Sequence, residues 1–233
     1  GLDLPALPGY PMDNINHESG ARMEAKTETL LKALTAQPVI PVMIVESVEH
    51  AVPLARALVE GGLKTLEITL RTDCALDAIR LIAQEVEGAF VGAGTVCNPV
   101  QFEQAVSAGA NFVVSPGSSA ALFEVAASSV PLLPGAVTAS EVMAAREAGF
   151  NILKFFPAST SGGAAAIKAF AGPFGDIKFV PTGGINLDNA IDYLSLNNVR
   201  AVGGSWLTPA DAINDERWDV ITDLAVNASQ LGQ

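Results

Sequence analysis

The chain has 233 residues, of which 49% are hydrophobic and only 6% aromatic, and this composition predicts one compact domain with a core of small and branched aliphatic side chains. Lysine and arginine number 13 against 25 aspartates and glutamates, so the net charge of -12 argues against nucleic acid or an anionic membrane surface as the main partner. No apolar stretch approaches the roughly 20 residues that cross a bilayer, and the N-terminus lacks a signal-peptide pattern, so we expect a soluble protein.

Residues 1–22 carry three prolines and three glycines and show no sustained period, so they are predicted to be a leader or a disordered arm outside the fold. A helical pattern begins at Met23, and we assign residues 23–233 to a single domain. The chain contains only two cysteines, Cys74 and Cys97. Two isolated thiols build neither a disulfide framework nor a zinc cluster, which indicates a reducing, cytoplasmic compartment and cysteines that fill the core.

From Val39 onward, short apolar runs alternate with stretches of helical period. Eight such runs begin at fairly even intervals, at residues 39–45, 65–70, 89–96, 112–117, 131–136, 152–157, 178–184 and 199–207. Right-handed crossovers between parallel strands leave two main solutions, an open doubly wound sheet and a closed eight-stranded barrel. Eight short and even units favour the barrel, so the predicted fold is an α/β, (β/α)8 TIM barrel with an N-terminal helix and a C-terminal helix.

The open sheet would usually carry a glycine fingerprint after its first strand, followed by an acidic residue about twenty positions further on. Here the first strand ends in VESVEH, which contains no glycine. The GAGT sequence at residues 92–95 ends the third strand and lacks the rest of the fingerprint. A dinucleotide site is therefore disfavoured, and the sequence predicts no cofactor.

Successive side chains of a barrel strand point alternately into the barrel and outward under the helices, so position parity assigns each side chain a direction. By this test Glu67, Arg71 and Lys154 all point into one interior. Each lies in the later half of its strand, and the active sites of such barrels lie at the C-terminal ends of the strands. Thr95 and Ser115 add hydroxyls at the equivalent ends of the third and fourth strands. The side chains predicted to face outward are those of Leu66, Ile68, Leu70, Leu153 and Phe155.

Two interpretations of these charges are open. Lys154 and Glu67 could form a structural ion pair across the barrel, which would neutralise two buried charges without any chemistry. That interpretation leaves Arg71, a second cation on the same side, unexplained. Convergent charges at this end of a barrel usually mark a site, so we favour function.

Glycine pairs follow three of the last strands, in SGG at 161–163, TGG at 182–184 and GGS at 203–205. Glycine often ends strands in tight turns, so any one pair could be structural. However, backbone N–H groups next to glycine can approach an anion closely, and the loops after strands seven and eight of barrels commonly hold phosphate. Three such pairs at one corner predict a phosphate site.

These residues together suit one reaction class. A lysine that is desolvated beside a second cation can supply neutral amine, which attacks a ketone to form a Schiff base. The planar guanidinium of Arg71 suits the carboxylate of a 2-keto acid, and Glu67 remains as the acid and base. This combination predicts a retro-aldol cleavage. A metal-dependent aldolase is the direct rival, but His17 and His50 are the only histidines and form no ligand cluster, so no metal is predicted.

Six sequence blocks then mark a resemblance: LEITLRT (66–72), VGAGTV (91–96), SPG (115–117), KFFPA (154–158), PTGGI (181–185) and GGSW (203–206). Together they resemble the bacterial 2-keto-3-deoxy-6-phosphogluconate (KDPG) aldolases, which also cleave 4-hydroxy-2-oxoglutarate (KHG) in many members. The resemblance covers about residues 30–225. KFFPA with LEITLRT is highly specific, whereas the glycine motifs alone would not be.

The resemblance implies a role for individual residues. Lys154 would form the Schiff base, and Glu67 would be the general acid and base, working through a water. Arg71 and Thr95 would hold the pyruvyl carboxylate. The other implied binding residues are Pro116, Phe156 and Thr182 for the substrate, and Gly162, Gly163, Gly183, Gly184, Gly204 and Ser205 for the phosphate.

The resemblance also implies a homotrimeric class I lyase of the Entner-Doudoroff pathway that acts on a small phosphorylated 2-keto acid and releases pyruvate. Threonine at position 182 is typical of gluconate-type rather than galactonate-type members. Two other functions stay open, a scaffold module built on the same barrel and a phosphate-binding barrel isomerase that needs no imine.

Overall fold

The structure is a computed structural model that describes residues 17–232, with side chains described from residue 23 onward. The first helix, α1 (His17–Thr35), includes residues 17–22, which the sequence had placed in the leader. The rest of that leader lies outside the described residues. The division between arm and domain therefore stays a proposal.

Strands and helices alternate along the described chain, and each of the eight predicted apolar runs contains a strand. The strands are β1 (Val39–Met43), β2 (Thr65–Thr69), β3 (Phe90–Gly94), β4 (Phe112–Val114), β5 (Leu132–Leu133), β6 (Ile152–Phe155), β7 (Lys178–Pro181) and β8 (Val202–Gly204). The helices after α1 are α2 (Ala51–Glu60), α3 (Ala75–Glu85), α4 (Pro99–Ser107), α5 (Ala120–Ala127), α6 (Ala139–Glu147), α7 (Gly163–Phe170), α8 (Ala190–Leu194), α9 (Ala210–Asn214) and α10 (Trp218–Ser229).

The strands pair in parallel. Six of them form one sheet in the order β5-β4-β3-β2-β1-β8, and β6 pairs with β7. Within the large sheet, Glu67 of β2 pairs with Val42 of β1 and Gly92 of β3, which brings β1 and β3 beside the predicted site. The α/β class with parallel strands is therefore confirmed, and so are the additional terminal helices α1 and α10.

Two hydrophobic clusters lie on the two faces of the strand layer, one outside it and one inside it. The larger cluster lies between strands and helices and contains Leu66, Ile68, Leu153 and Phe155. This placement confirms the outward direction that parity predicts for these four side chains. The smaller cluster combines inward side chains of the strands with two leucines of α1, and its members are Leu30, Leu34, Ile40, Phe112, Val114, Leu133, Ile152, Val180 and Ala201.

Helix α1 covers the N-terminal ends of the strands. Leu30 and Leu34 are 2% and 0% exposed within the smaller cluster. The Thr65 hydroxyl, at the first residue of β2, donates a hydrogen bond of 3.0 Å to the carbonyl of Ala33. This end of the strand layer is therefore filled by apolar side chains, and the opposite, C-terminal end is where polar side chains can meet substrate.

The two cysteines differ from each other. Cys74 is partly buried against the core, and its thiol donates to the carbonyl of Val45 at 3.1 Å. Cys97 is exposed, so its predicted place in the core is wrong. The reason is that Cys97 lies in the loop between β3 and α4, where the side chain faces solvent.

Among the described helices, none is both long and apolar enough to cross a membrane.

Because α1 fills the base of the strand layer, Leu34→Ala should lower the free energy of unfolding by about 3 kcal/mol, the usual cost of emptying a buried leucine site. Met143→Ala is the matched control, since Met143 is 52% exposed and its truncation should change stability by less than about 0.5 kcal/mol. Urea unfolding followed by circular dichroism measures both. Equal stability of the two variants would show that α1 is not part of the folded unit.

Candidate active site

A buried hydrogen bond between opposite charges lies at the centre of the predicted site. Lys154 Nζ on β6 donates to Glu67 Oε1 on β2 at 2.9 Å. The two side chains are 6% and 4% exposed, so both charges are largely removed from water. Parity thus placed both side chains in the same interior correctly, and the ion pair that the sequence analysis gave as the structural alternative is present. Its position at the C-terminal half of the strands leaves it open to chemistry as well as structure.

The main chain holds Lys154 from both sides. On one side, its amide donates to Pro134 O at 2.8 Å, and its carbonyl accepts from the Ala136 amide at 2.9 Å. On the other side, Lys154 pairs with Val180 of β7. The base of the lysine side chain is therefore fixed, and only its four-carbon stem can move toward a ligand.

Arg71 lies two residues beyond the end of β2 and is exposed. Its Nε donates to Thr95 Oγ1 at 3.0 Å. Thr95 follows β3 and has a positive φ of 58°, a conformation that few residues other than glycine adopt. In the described part of the chain the guanidinium forms no ion pair. The other nitrogens of its fork are therefore available for a carboxylate ligand.

A cavity of about 220 Å³ opens beside Lys154 and Arg71. The Lys154 ammonium lies 5.5 Å from the ring centroid of Phe156, which forms part of the same wall. Of the sequence-predicted site residues, those that line the cavity are Arg71, Lys154, Phe156, Thr182, Gly183, Gly184 and Ser205. The structure therefore brings together residues from β2, β6, β7 and β8 in one place.

One corner of this cavity has the features of an anion site. Gly183 and Gly184 follow β7 with positive φ values of 102° and 70°, which glycine adopts without strain. Among the described residues, the amide N–H groups of these two glycines and of Ser205 donate no hydrogen bond. Ser205 is exposed and follows β8. Free amides beside an exposed hydroxyl are suited to phosphate oxygens.

Six predicted residues lie outside the cavity lining. Glu67 is one of them and adjoins the cavity through its hydrogen bond to Lys154. Gly162 and Gly163 begin helix α7, and Gly204 packs closely against the indole of Trp206. Thr95 reaches the site through its hydrogen bond to Arg71. Pro116 lines a neighbouring depression of about 260 Å³ with Cys97 and the start of α5. The role of Pro116 rests on the resemblance, since the cavity lining does not include it.

Other cavity residues were not predicted as site residues. They are Val42, Ile44, Thr69, Ile185 and Gly203. Thr69 shares the inward parity of Glu67 and Arg71, so the same test could have found it. Val42 pairs with Glu67 across the sheet, a relation that requires the register. The close contact of Gly203 with Thr182 likewise depends on neighbouring strands.

No cluster of three histidine, cysteine, aspartate or glutamate side chains that could hold a metal ion occurs among the described residues. His50 packs edge-on against Trp218, with ring centroids 5.8 Å apart, and its Nε2 lies 4.0 Å from a Glu216 carboxylate oxygen. His17 lies where side chains are not described. The prediction that Ser115 lies at the rim is wrong: Ser115 is fully buried, and its hydroxyl has no hydrogen-bond partner among the described residues.

Comparisons with known proteins agree with this geometry. The family model for KDPG and KHG aldolases matches residues 30–224. The chain is 55% identical over 196 residues to a 2-dehydro-3-deoxy-phosphogluconate aldolase of Dickeya dadantii (strain 3937), covering 84% of this chain and 92% of that protein. It is 52% identical to a KHG/KDPG aldolase of Escherichia coli (strain K12), with the same coverage of both chains.

Among solved structures, the chain is similar to the KDPG aldolase of Legionella pneumophila, in which pyruvate was captured at low pH as a covalent carbinolamine intermediate. The TM-score is 0.84 and the identity 44%, and the match covers 86% of this chain and 98% of that one. Fold and sequence therefore point to the same family.

Because each of the two buried charges is neutralised by the other, Glu67→Leu should lower the free energy of unfolding by about 3–5 kcal/mol, since Lys154 is left buried without its partner. Adding Lys154→Met removes the second charge, and the double variant should recover most of that loss. Urea unfolding of the two single variants and the double variant measures the coupling. Purely additive losses would contradict a direct interaction between the two groups.

Proposed function

Because this chain belongs to the KDPG and KHG aldolase family, we propose that it cleaves KDPG to pyruvate and glyceraldehyde 3-phosphate through an imine on Lys154. The observation that carries this proposal is the 2.9 Å hydrogen bond between Lys154 and Glu67 beside an open cavity. It places an amine nucleophile and a carboxylate base within proton-transfer distance of each other.

In the first half of the reaction, Glu67 accepts a proton from the Lys154 ammonium, and the neutral amine adds to the C2 ketone of the substrate. The resulting carbinolamine loses its oxygen as water when the proton returns, which leaves a protonated imine. Glu67 is then ionised again. Proton transfer directly or through one water is compatible with the distance between the two groups.

In the second half, the Glu67 carboxylate takes the proton of the C4 hydroxyl. The C3–C4 bond breaks, its electron pair moves toward the imine nitrogen to give an enamine, and glyceraldehyde 3-phosphate leaves. Glu67 then returns its proton to C3, and addition of water to the protonated imine releases pyruvate and restores the Lys154 ammonium. One carboxylate thus serves as base and acid in turn.

The walls of the cavity suit the two ends of this substrate. Arg71, with Thr95 bonded to its Nε, faces the position of the C1 carboxylate, and Phe156 packs beside the imine. The six residues proposed for phosphate are Gly162, Gly163, Gly183, Gly184, Gly204 and Ser205. The free main-chain amides of Gly183, Gly184 and Ser205 support this assignment. Pro116 and Thr182 complete the proposed substrate pocket.

We also propose that the eight strands close into a complete barrel. Single parallel bridges join Gly135 to Lys154 and Thr182 to Gly203, and these bridges link the β6-β7 pair to the large sheet at β5 and β8. Closure would explain how Lys154 and Glu67, on non-adjacent strands, come within hydrogen-bond distance.

The same chemistry would cleave KHG to pyruvate and glyoxylate, with the phosphate corner left empty. The Escherichia coli relative is named a KHG/KDPG aldolase, which supports this second activity.

We further propose that the protein is a cytoplasmic homotrimer without a cofactor and that its functional domain covers residues 23–233. The exposed side chains of Leu187 and Ile191, at 52% and 45%, provide apolar surface for association between copies.

Sodium borohydride with pyruvate should label Lys154 covalently, because hydride reduces the imine to a stable secondary amine. Mass spectrometry of the digested protein identifies the labelled residue. Lys154→Ala should lose the label and all measurable turnover, whereas Lys32→Ala, which removes an exposed lysine of α1, should keep both. Turnover should survive dialysis against EDTA. Cleavage without any labelling would favour an imine-free barrel enzyme, and labelling at another lysine would contradict the role of Lys154.

Ser205→Asp should discriminate between the two substrates, because a carboxylate at the anion corner repels the phosphate of KDPG. We expect KM for KDPG to rise more than about tenfold, which corresponds to a loss of about 1.4 kcal/mol of binding free energy. For KHG, kcat/KM should change less than about threefold. Ser205→Ala is the matched control and should have a smaller effect on KM. Equal losses on both substrates would place the phosphate elsewhere.

A further inference from the structure

The Glu67 side chain occupies the space in which any residue other than glycine at position 94 would place its Cβ atom. A Cβ atom built on Gly94 of β3 would overlap the Oε1 oxygen of Glu67 and would lie 2.8 Å from its Cγ and Cδ. The outer half of the Glu67 side chain therefore lies directly over the main chain of Gly94. Even the methyl group of alanine could not share this position with the observed carboxylate.

The inner face of β3 lacks side chains at two successive inward positions. At Gly92, the ring of Phe112 fills the space that a Cβ would need, and both residues are buried. At Gly94, the carboxylate of Glu67 fills it. One gap is therefore used for core packing and the other for a charged group of the site.

The strand register shows in which direction the Glu67 side chain extends. The Cα of Glu67 pairs with Gly92, but its side chain lies over Gly94, which pairs with Thr69. Glu67 therefore leans along the strand toward the C-terminal end, where Lys154 and the cavity lie. A Cβ at position 94 would block this lean.

Hydrogen bonds alone do not fix the carboxylate. In the described part of the chain, the Lys154 ammonium is its one donor. The two inward hydroxyls on its own strand donate elsewhere, Thr65 Oγ1 to the carbonyl of Ala33 and Thr69 Oγ1 to the carbonyl of Met43, each at 3.0 Å. The position of Glu67 thus depends on the lysine and on the free space above Gly94.

We propose that Gly94 is a positioning residue for the aldol cleavage: the absence of a Cβ at this position lets the Glu67 carboxylate lie within hydrogen-bond distance of Lys154. This inference rests on the proposed function. A Cβ at position 94 meets the end of a flexible side chain, so the fold can adapt by turning Glu67 away. The variant protein keeps its lysine nucleophile and loses the alignment of its base.

Gly94→Ala tests this, with Gly172→Ala as control because a Cβ at Gly172 meets only ordinary contacts, the nearest at 3.7 Å. We expect kcat for KDPG to fall about 100-fold in Gly94→Ala, the cost of misplacing a catalytic group by about 1 Å. The final extent of Lys154 labelling with pyruvate and borohydride stays unchanged. Exchange of pyruvate methyl protons with deuterium, which needs the base, falls together with kcat.

Combination with Glu67→Asp separates positioning from a general structural effect. If both substitutions act on the same carboxylate, the double variant is no more than about threefold slower than the slower single variant. Independent effects would instead multiply, and this would overturn the proposal. So would a Gly94→Ala enzyme within threefold of the Gly172→Ala control.

Unfolding measurements decide the case in which Gly94→Ala folds poorly. Glu67→Ala removes the side chain that the new Cβ meets, so Gly94→Ala should destabilise the Glu67→Ala background much less than the wild type. An equal loss in both backgrounds would show that the conflict lies elsewhere and would overturn the proposal. Failure of the wild type to be labelled or to turn over KDPG is a separate result, which overturns the proposed function itself.

Discussion

The rest of the structure depends on a single requirement, that two opposite charges meet away from water. Removing an ammonium and a carboxylate from solvent costs several kcal/mol for each, and their attraction compensates only at close range and with good geometry. The 2.9 Å contact between Lys154 and Glu67 meets this condition. Parallel strands bring the two residues together from separate parts of the chain, and helices outside the strand layer exclude water from it. The fold thus supplies the low-polarity surroundings in which an amine and a carboxylate can exchange a proton.

Along the strands, stability and chemistry occupy opposite ends. The N-terminal half of the interior holds the smaller hydrophobic cluster, with Leu30 and Leu34 of α1 inserted into it. The C-terminal half holds the charged pair, Arg71 and the glycine corner. Because these layers are separate, side chains at the C-terminal end can be polar or exposed without loss of the apolar contacts that hold the strands together. This arrangement also explains why parity was informative, since each strand contributes to both layers through the same inward face.

Local patterns were enough to predict eight strands, the direction of their side chains and the principal charged residues. They were not enough for features that depend on contacts between neighbouring strands. Nothing local to Gly94 shows that Glu67 lies over it, and nothing local to Val42 shows that it borders the cavity, because both relations require the register. The exposure of Cys97 and the place of Pro116 in a neighbouring depression depend on loop geometry, which apolar periodicity does not describe.

The main-chain bonds around Lys154 bear on how such an enzyme can diversify. Hydrogen bonds to Pro134 and Ala136 on one side and pairing with Val180 on the other fix this proposed nucleophile in the body of the strand layer. The residues proposed to bind the far end of the substrate instead include the loops after β7 and β8, where replacements disturb fewer main-chain bonds. Selection for a new aldehyde product can therefore act on those loops while the amine stays in place. The same lysine can serve a succession of substrates over evolutionary time.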